Sequence, residues 1–181
     1  MPSQPQTLIT AEQFYRLPHE EGREFELLDG EIIEMPSATP RHNLILSALI
    51  GPLYPALRGR GRAIPETDFS DGRKTTLRPD LAILFSDKLA GLDLDRLPVT
   101  VPPDIVAEVI SRSETGIRIE RRKDAYLRFG VREVWIVYPE NRHIYVHTEA
   151  GVTRLRSGDT LSTPLLPGWS VADPAHFDGR P

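Results

Sequence analysis

Apolar residues recur along the chain with two periods, and the breaks between them fall at turn-forming pairs. Thr10-Ala-Glu-Gln13 fits a capping box, which predicts a short helix over residues 11–17 with Pro18 as its stop. Residues 24–28 and 31–35 flank Asp29-Gly30, and an Asp-Gly pair between apolar runs signals a two-residue hairpin. Thr39 and Pro40 suit the cap and first residue of the longest helical pattern, which runs to about residue 57 with Leu46, Leu49, Leu53 and Leu57 at helix spacing. Pro52 lies inside it and is expected to kink it or end it early. Residues 63–69 and 75–77 read as strands joined near Asp71-Gly72, and residues 80–85 as a short, almost fully apolar strand. A mostly loop segment, 86–102, precedes a second buried strand over 104–110. An amphipathic helix follows over 117–129, closed by Gly130, then a third apolar strand over 131–138. Residues 143–147 and 152–156 form a hairpin, and short strands with Pro/Gly-rich turns follow from residue 160. Strand, helix, strand over 104–138 predicts one parallel crossover attached to a mostly antiparallel sheet.

Length and composition narrow the chemistry. A chain of 181 residues with 39% hydrophobic and 27% charged residues suits one domain, expected over 10–181 behind a flexible tail, 1–9. There are no cysteines, which excludes a disulfide scaffold, a thiolate zinc site, an iron–sulfur cluster and cysteine catalysis. No apolar run is as long as a membrane span and the start lacks a signal-peptide profile, so a cytoplasmic protein is expected. The net charge of −4 argues against a broadly basic nucleic-acid coat. Basic residues nevertheless cluster in segments 41–62 and 112–132, either as solvated helix faces or as local phosphate-binding surfaces.

Charged residues inside patterns that should be buried are the strongest chemical signal. Asp80 follows Arg78-Pro79 at the mouth of an apolar strand, where it is either a turn aspartate or a presented ligand. Glu108 lies in the middle of Ile105-Val-Ala-Glu-Val-Ile110. An ionised carboxylate there costs several kcal/mol unless an arginine, hydrogen bonds or a metal compensates it. Ile119, Lys123 and Tyr126 share a helix stripe, so Lys123 either faces the sheet or snorkels to water. Asp80 and Glu108 are hard oxygen ligands suited to Mg²⁺, with the Val109 carbonyl as a third. A Lys123 ammonium beside them would orient water or stabilise a pentacovalent phosphate, which is phosphodiester chemistry. His42, near a helix N-terminus, and Glu31, after the Asp-Gly turn, complete the candidates. His143 and His147 stand about 13 Å apart on a strand, too far to share a metal.

The same residues carry a family likeness. Phe25-Glu-Leu-Leu-Asp-Gly-Glu31-Ile, Pro40-Arg-His42, Arg78-Pro-Asp80, Pro102-Pro-Asp-Ile-Val-Ala-Glu108-Val-Ile-Ser111, Lys123-Asp-Ala-Tyr126 and Gly130-Val-Arg-Glu-Val-Trp135-Ile-Val-Tyr-Pro139 occur in order. With these motifs, from about residue 10 to 168, the chain resembles the Uma2 family, also called DUF820, of restriction-endonuclease-like proteins common in bacteria. The resemblance implies an α/β (α+β) fold of the PD-(D/E)XK nuclease superfamily: a restriction-endonuclease-like core with a central mixed β-sheet flanked by helices, and N-terminal and C-terminal β-hairpins. It makes Asp80 and Glu108 the acidic pair. The superfamily lysine usually stands two residues after the second acid, where this chain has Ile110, and the resemblance suggests that Lys123 replaces it from the helix. It also brings Glu31 and His42 into the site.

The expected function is therefore a Mg²⁺-dependent (or Mn²⁺-dependent) endonuclease hydrolysing DNA phosphodiester bonds. Its catalytic residues would be Asp80, Glu108, Lys123, Glu31 and His42, with Asp80, Glu108 and Val109 at the metal. The alternative is a catalytically silent nucleic-acid-binding or assembly module that keeps the fold. A homodimer is compatible with the first, since nucleases often cut both strands with paired sites.

Overall fold

The computed structural model describes residues 8–18 and 21–172. Helix α1 (Ala11–Tyr15) opens on the expected capping box, with the Thr10 side chain accepting from Gln13 N–H and the Gln13 side chain from Thr10 N–H. Of the expected tail, residues 1–7 lie outside the described residues; Ile9 N–H donates to the Gly30 carbonyl at 2.9 Å, so the last part of that segment is anchored. Strands β1 (Glu24–Leu28) and β2 (Glu31–Met35) pair antiparallel about the Asp29-Gly30 turn. Both turn residues have positive φ, 53° and 87°, as a two-residue turn matched to strand twist requires.

Helix α2 (Pro40–Leu57) starts at the Thr39 cap and runs through both Pro52 and Pro55. The helix does not end early at Pro52. Leu46, Leu49, Leu53 and Leu57 pack into the core on both sides of it, and Trp169 donates from its indole to the Pro52 carbonyl at 3.2 Å. Burial of the leucine stripe outweighs the two missing N–H donors. Strands β3 (Gly61–Pro65), β4 (Phe69–Ser70), β5 (Thr76–Leu77) and β6 (Leu81–Phe85) follow, then a short helix α3 (Ser86–Leu89) inside the expected loop. Strand β7 (Ile105–Val109), helix α4 (Gly116–Phe129) and strand β8 (Glu133–Tyr138) form the crossover. Gly130 caps α4 in the left-handed conformation, φ 106°. Strands β9 (His143–Thr148) and β10 (Gly151–Leu155) make the hairpin, and β11 (Thr160–Ser162) pairs with β12 (Ser170–Ala172).

The central sheet has six strands in the order β10-β9-β8-β7-β6-β3. Within it β7 and β8 are parallel and the other neighbours antiparallel, so the sheet is mixed as expected. A smaller antiparallel sheet, β2-β1-β5-β4, stands beside it. Alternation along β7 and β8 feeds two cores. Ile105, Ala107 and Val109 join Trp135, Val137 and the α2 leucines, while Val106, Val134 and Ile136 join Ile119 and Tyr126 of α4 with Leu28, Ile33 and Leu77 of the smaller sheet. Trp135 stacks on Trp169, ring centroids 5.6 Å apart and 5° from parallel, which ties the C-terminal segment to β8. No helix among the described residues is long and apolar enough to cross a membrane.

Candidate active site

A cleft of about 650 Å³ opens where the two sheets, the N-terminus of α2 and the start of α4 meet. The β6–β7 register pairs Leu81 with Ala107, so Asp80, one residue before β6, falls beside Glu108. The Val109 N–H donates to Asp80 Oδ2 at 2.6 Å, fixing that carboxylate against the end of β7. Both acids line the cleft. Glu108 is on the α4 side of β7, where a carboxylate replaces the hydrophobic residue that the alternation calls for.

His42 comes from the first turn of α2 and places Nε2 3.2 Å from Asp80 Oδ1. The hydrogen bond to Asp80 raises the imidazole above its ordinary value against the opposing effect of burial, helped by the charges of Asp80 and Glu66 and by the Val109 carbonyl. Pro40 and the Thr39 cap set where α2 begins, and so where His42 sits.

Glu108 is 3% exposed. Its Oε1 accepts from Arg122 at 2.7 Å and from the Tyr126 hydroxyl at 2.5 Å, and among the described residues no hydrogen bond engages Oε2. The same Arg122 Nη2 lies 3.3 Å from Glu26 Oε1, and Nη1 lies 3.0 Å from Glu114 Oε1. Glu26 Oε1 also accepts the Arg78 N–H at 2.7 Å. Three carboxylates thus share one buried guanidinium, and Glu26 Oε2 and Arg122 Nε are buried without a hydrogen-bond partner among the described residues. Burial pushes Glu108 well above the usual carboxylate range, and Arg122 only partly opposes it. Burial raises Glu26 in the same way. Burial alone would pull Arg122 down, but Glu108, Glu26, Tyr126 and Glu114 together hold it protonated.

Of the residues expected from the sequence, Asp80, Glu108, Val109 and His42 come together in the cleft. Lys123 and Glu31 do not. The buried stripe of α4 is Ile119, Arg122, Ala125 and Tyr126. At about 100° per residue this stripe centres between Arg122 and Ile119, leaving Lys123 on its margin. There the Lys123 ammonium pairs with Glu120 at 2.5 Å and Asp124 at 3.1 Å. Glu31 pairs with Arg121 at 2.8 Å at the turn end of the hairpin. Sequence reasoning missed Glu26 and Arg122. Glu26 passes the test that marked Glu108, a charge among Phe25, Leu27 and Leu28, but strand alternation reads it as solvent-facing. Arg122 is hidden in the run Arg121-Arg122-Lys123, where only the tilt of the docked helix selects one member.

Among the described residues no group of three or more His, Cys, Asp or Glu side chains is arranged to hold a metal. A divalent cation such as Mg²⁺ takes one or two carboxylates and keeps several waters. Asp80 and Glu108 Oε2, which no hydrogen bond among the described residues engages, present two hard oxygens, and the charges of Asp80 and Glu26 crowd Glu108 while Arg122 partly offsets them.

The Uma2 family model, described as "Putative restriction endonuclease", matches residues 11–174. A solved structure, "Crystal structure of a putative nuclease belonging to DUF820 from Anabaena variabilis ATCC 29413", superposes with a TM-score of 0.81 at 17% sequence identity, covering 94% of this chain and 98% of that one. At that identity the likeness bears on the fold. No curated protein matches the chain.

Proposed function

The chain belongs to the Uma2 family of restriction-endonuclease-like proteins, and from that membership we propose that it is a Mg²⁺-dependent endonuclease hydrolysing DNA phosphodiester bonds. The observation that carries the proposal is the placement of Asp80, at the entry of β6, beside Glu108 of β7 in one cleft, with Glu108 Oε2 engaged by no hydrogen bond among the described residues. Asp80, Glu108 and the Val109 carbonyl would hold the ion, which supplies Lewis-acid polarisation of the phosphate and an activated water. Arg122 positions Glu108 by holding Oε1, and takes the cationic place that the sequence assigned to Lys123. Tyr126 fixes the same oxygen from the other side. His42 holds a proton at Nε2 against Asp80 and is placed to exchange it with an oxygen of the reacting phosphate. Glu26 keeps Arg122 charged and in place.

Nicking of supercoiled plasmid in Mg²⁺ or Mn²⁺ tests this. The wild-type protein should cut and EDTA should stop it. Asp80→Asn and Glu108→Gln should each lose about 10²-fold or more, the scale of losing one electrostatic stabiliser. Wild-type rates in Asp80→Asn would refute the site. One observation favours the rival, a silent nucleic-acid-binding or assembly module: Glu108 already has an internal cation in Arg122. No cleavage and no Mg²⁺-induced rise in melting temperature in the wild type would establish that rival.

A further inference from the structure

Beyond the acidic pair, the mouth of the cleft carries a second arrangement. Arg41, in the first turn of α2, and Arg112, between β7 and α4, converge on one carboxylate in the turn after β8. Arg41 Nη1 lies 2.5 Å from Glu140 Oε1, and Arg112 Nη2 lies 2.8 Å from Glu140 Oε2. Arg41 Nη2 also donates to the Pro139 carbonyl at 3.3 Å. All three charged side chains line the cleft. We infer that Arg41 and Arg112 form a subsite for a phosphodiester of the nucleic-acid backbone, closed in the free protein by Glu140.

The chemistry of exchange supports this. A carboxylate and a phosphodiester are both monoanions that present two oxygens to a pair of guanidinium forks. Replacing one by the other conserves the charge at the mouth. The three side chains are 39%, 46% and 78% exposed, so the exchange needs rotamer changes and no unfolding. Exposed ion pairs add little to stability, so convergence of two arginines on one acid is weakly explained by folding alone. The first turn of α2, which lines the cleft through Arg41 and His42, lacks an acidic residue, which leaves its positive end available to an anion. Ser111 and Ser113, whose hydroxyls lie 3.1 Å apart on the cleft wall, add neutral donors. Arg112 stands four residues after Glu108 and both line the cleft, so the subsite would hold a phosphate flanking the one that is cut. That the anion belongs to nucleic acid rests on the nuclease reading; the two-arginine geometry does not.

The test uses inorganic phosphate as the probe, at constant ionic strength, followed by thermal shift. Glu140→Gln removes the internal competitor and should bind phosphate roughly three- to tenfold more tightly than wild type, the scale of two exposed ion pairs. Adding Arg112→Gln should abolish that gain. Glu149→Gln, an equal charge change on the β9–β10 turn outside the cleft, should leave phosphate affinity unchanged. No gain in Glu140→Gln, or a gain that survives Arg112→Gln or appears equally in Glu149→Gln, overturns the subsite. A short DNA duplex in Ca²⁺ buffer should show the same order of affinities. A gain for phosphate without a gain for the duplex refutes the backbone assignment. If the wild type cuts no plasmid and the phosphate gain persists, the nuclease reading fails and the anion subsite stands.

Discussion

Arg122 keeps its charge with a side chain 5% exposed, because Glu26, Glu108 and Glu114 surround it. Removing it strands buried carboxylates, so Arg122→Met should destabilise the fold by about 3–5 kcal/mol, measured by urea unfolding. Lys123→Met removes a cation whose partners Glu120 and Asp124 are exposed, and should cost less than about 1 kcal/mol with cleavage unchanged. These neighbours therefore separate a cation at the cleft from one at the helix margin. The pH dependence follows from the same groups. His42 is raised by its hydrogen bond to Asp80, so its contribution to stability is complete below about pH 6.5 and is lost as pH rises through its folded value. Glu108 and Glu26 are raised by burial, so their contribution is complete below about pH 4.5 and is lost on the way up. All three act in one direction. In EDTA the melting temperature should fall as pH rises from mildly acidic to neutral, and Glu108→Gln should flatten that profile. A flat wild-type profile would count against the cluster. Glu108 was legible in the sequence because a charge inside an apolar strand violates its surroundings, and Asp80 because Arg78-Pro79 presents it at the mouth of another. Arg122 was not, because one turn of helix offers three basic residues and the sequence does not say which one the docked helix turns inward.

At the scale of elements, local chemistry was legible and non-local pairing was not. The Thr10 and Thr39 caps, the Asp29-Gly30 turn and the Gly130 stop each depend on a few adjacent residues, and each formed as expected. The smaller sheet depends on β1 meeting β5 through the single register pair Leu27 and Thr76, which no periodicity reveals. Helix α2 passed through two prolines because tertiary burial overrode a local penalty. The β1–β2 turn allows a sharp test. Gly30 has φ 87°, and a Cβ there would lie 3.1 Å from the Ile9 carbonyl oxygen and 3.1 Å from Leu8 Cβ. Gly30→Ala should cost about 1–2 kcal/mol from the left-handed conformation, with crowding added, read as a lower urea midpoint. The same turn anchors Arg128 through Asp29 at 2.5 Å, so the loss should appear as loosening between β1 and α4 in hydrogen exchange.

For the whole molecule, the two basic segments mean something different from what their charge suggests. Arg121 and Arg128 pair with the β1–β2 hairpin, Arg122 is buried, and Arg41 and Arg112 meet at Glu140. Much of the positive charge of segments 41–62 and 112–132 thus joins elements to one another, which charge runs in a sequence do not disclose. Nucleic-acid affinity should consequently fall with salt by the amount expected for few phosphate contacts, about 0.9 in logarithmic slope for each, and Arg112→Gln should lower the slope by about one. An unchanged slope would remove Arg112 from the interface. The stacked indoles carry a practical consequence. Trp135 and Trp169 are the chain's two tryptophans, and neither lines the cleft. Their intrinsic emission is an optical gauge of whether residues 160–172 remain clasped to the sheet, with Trp169 also held to α2 at Pro52. A fluorimetric Mg²⁺ titration should therefore stay dark to occupancy of the acidic pair, while the same signal should report the first peeling of the C-terminal segment under denaturant.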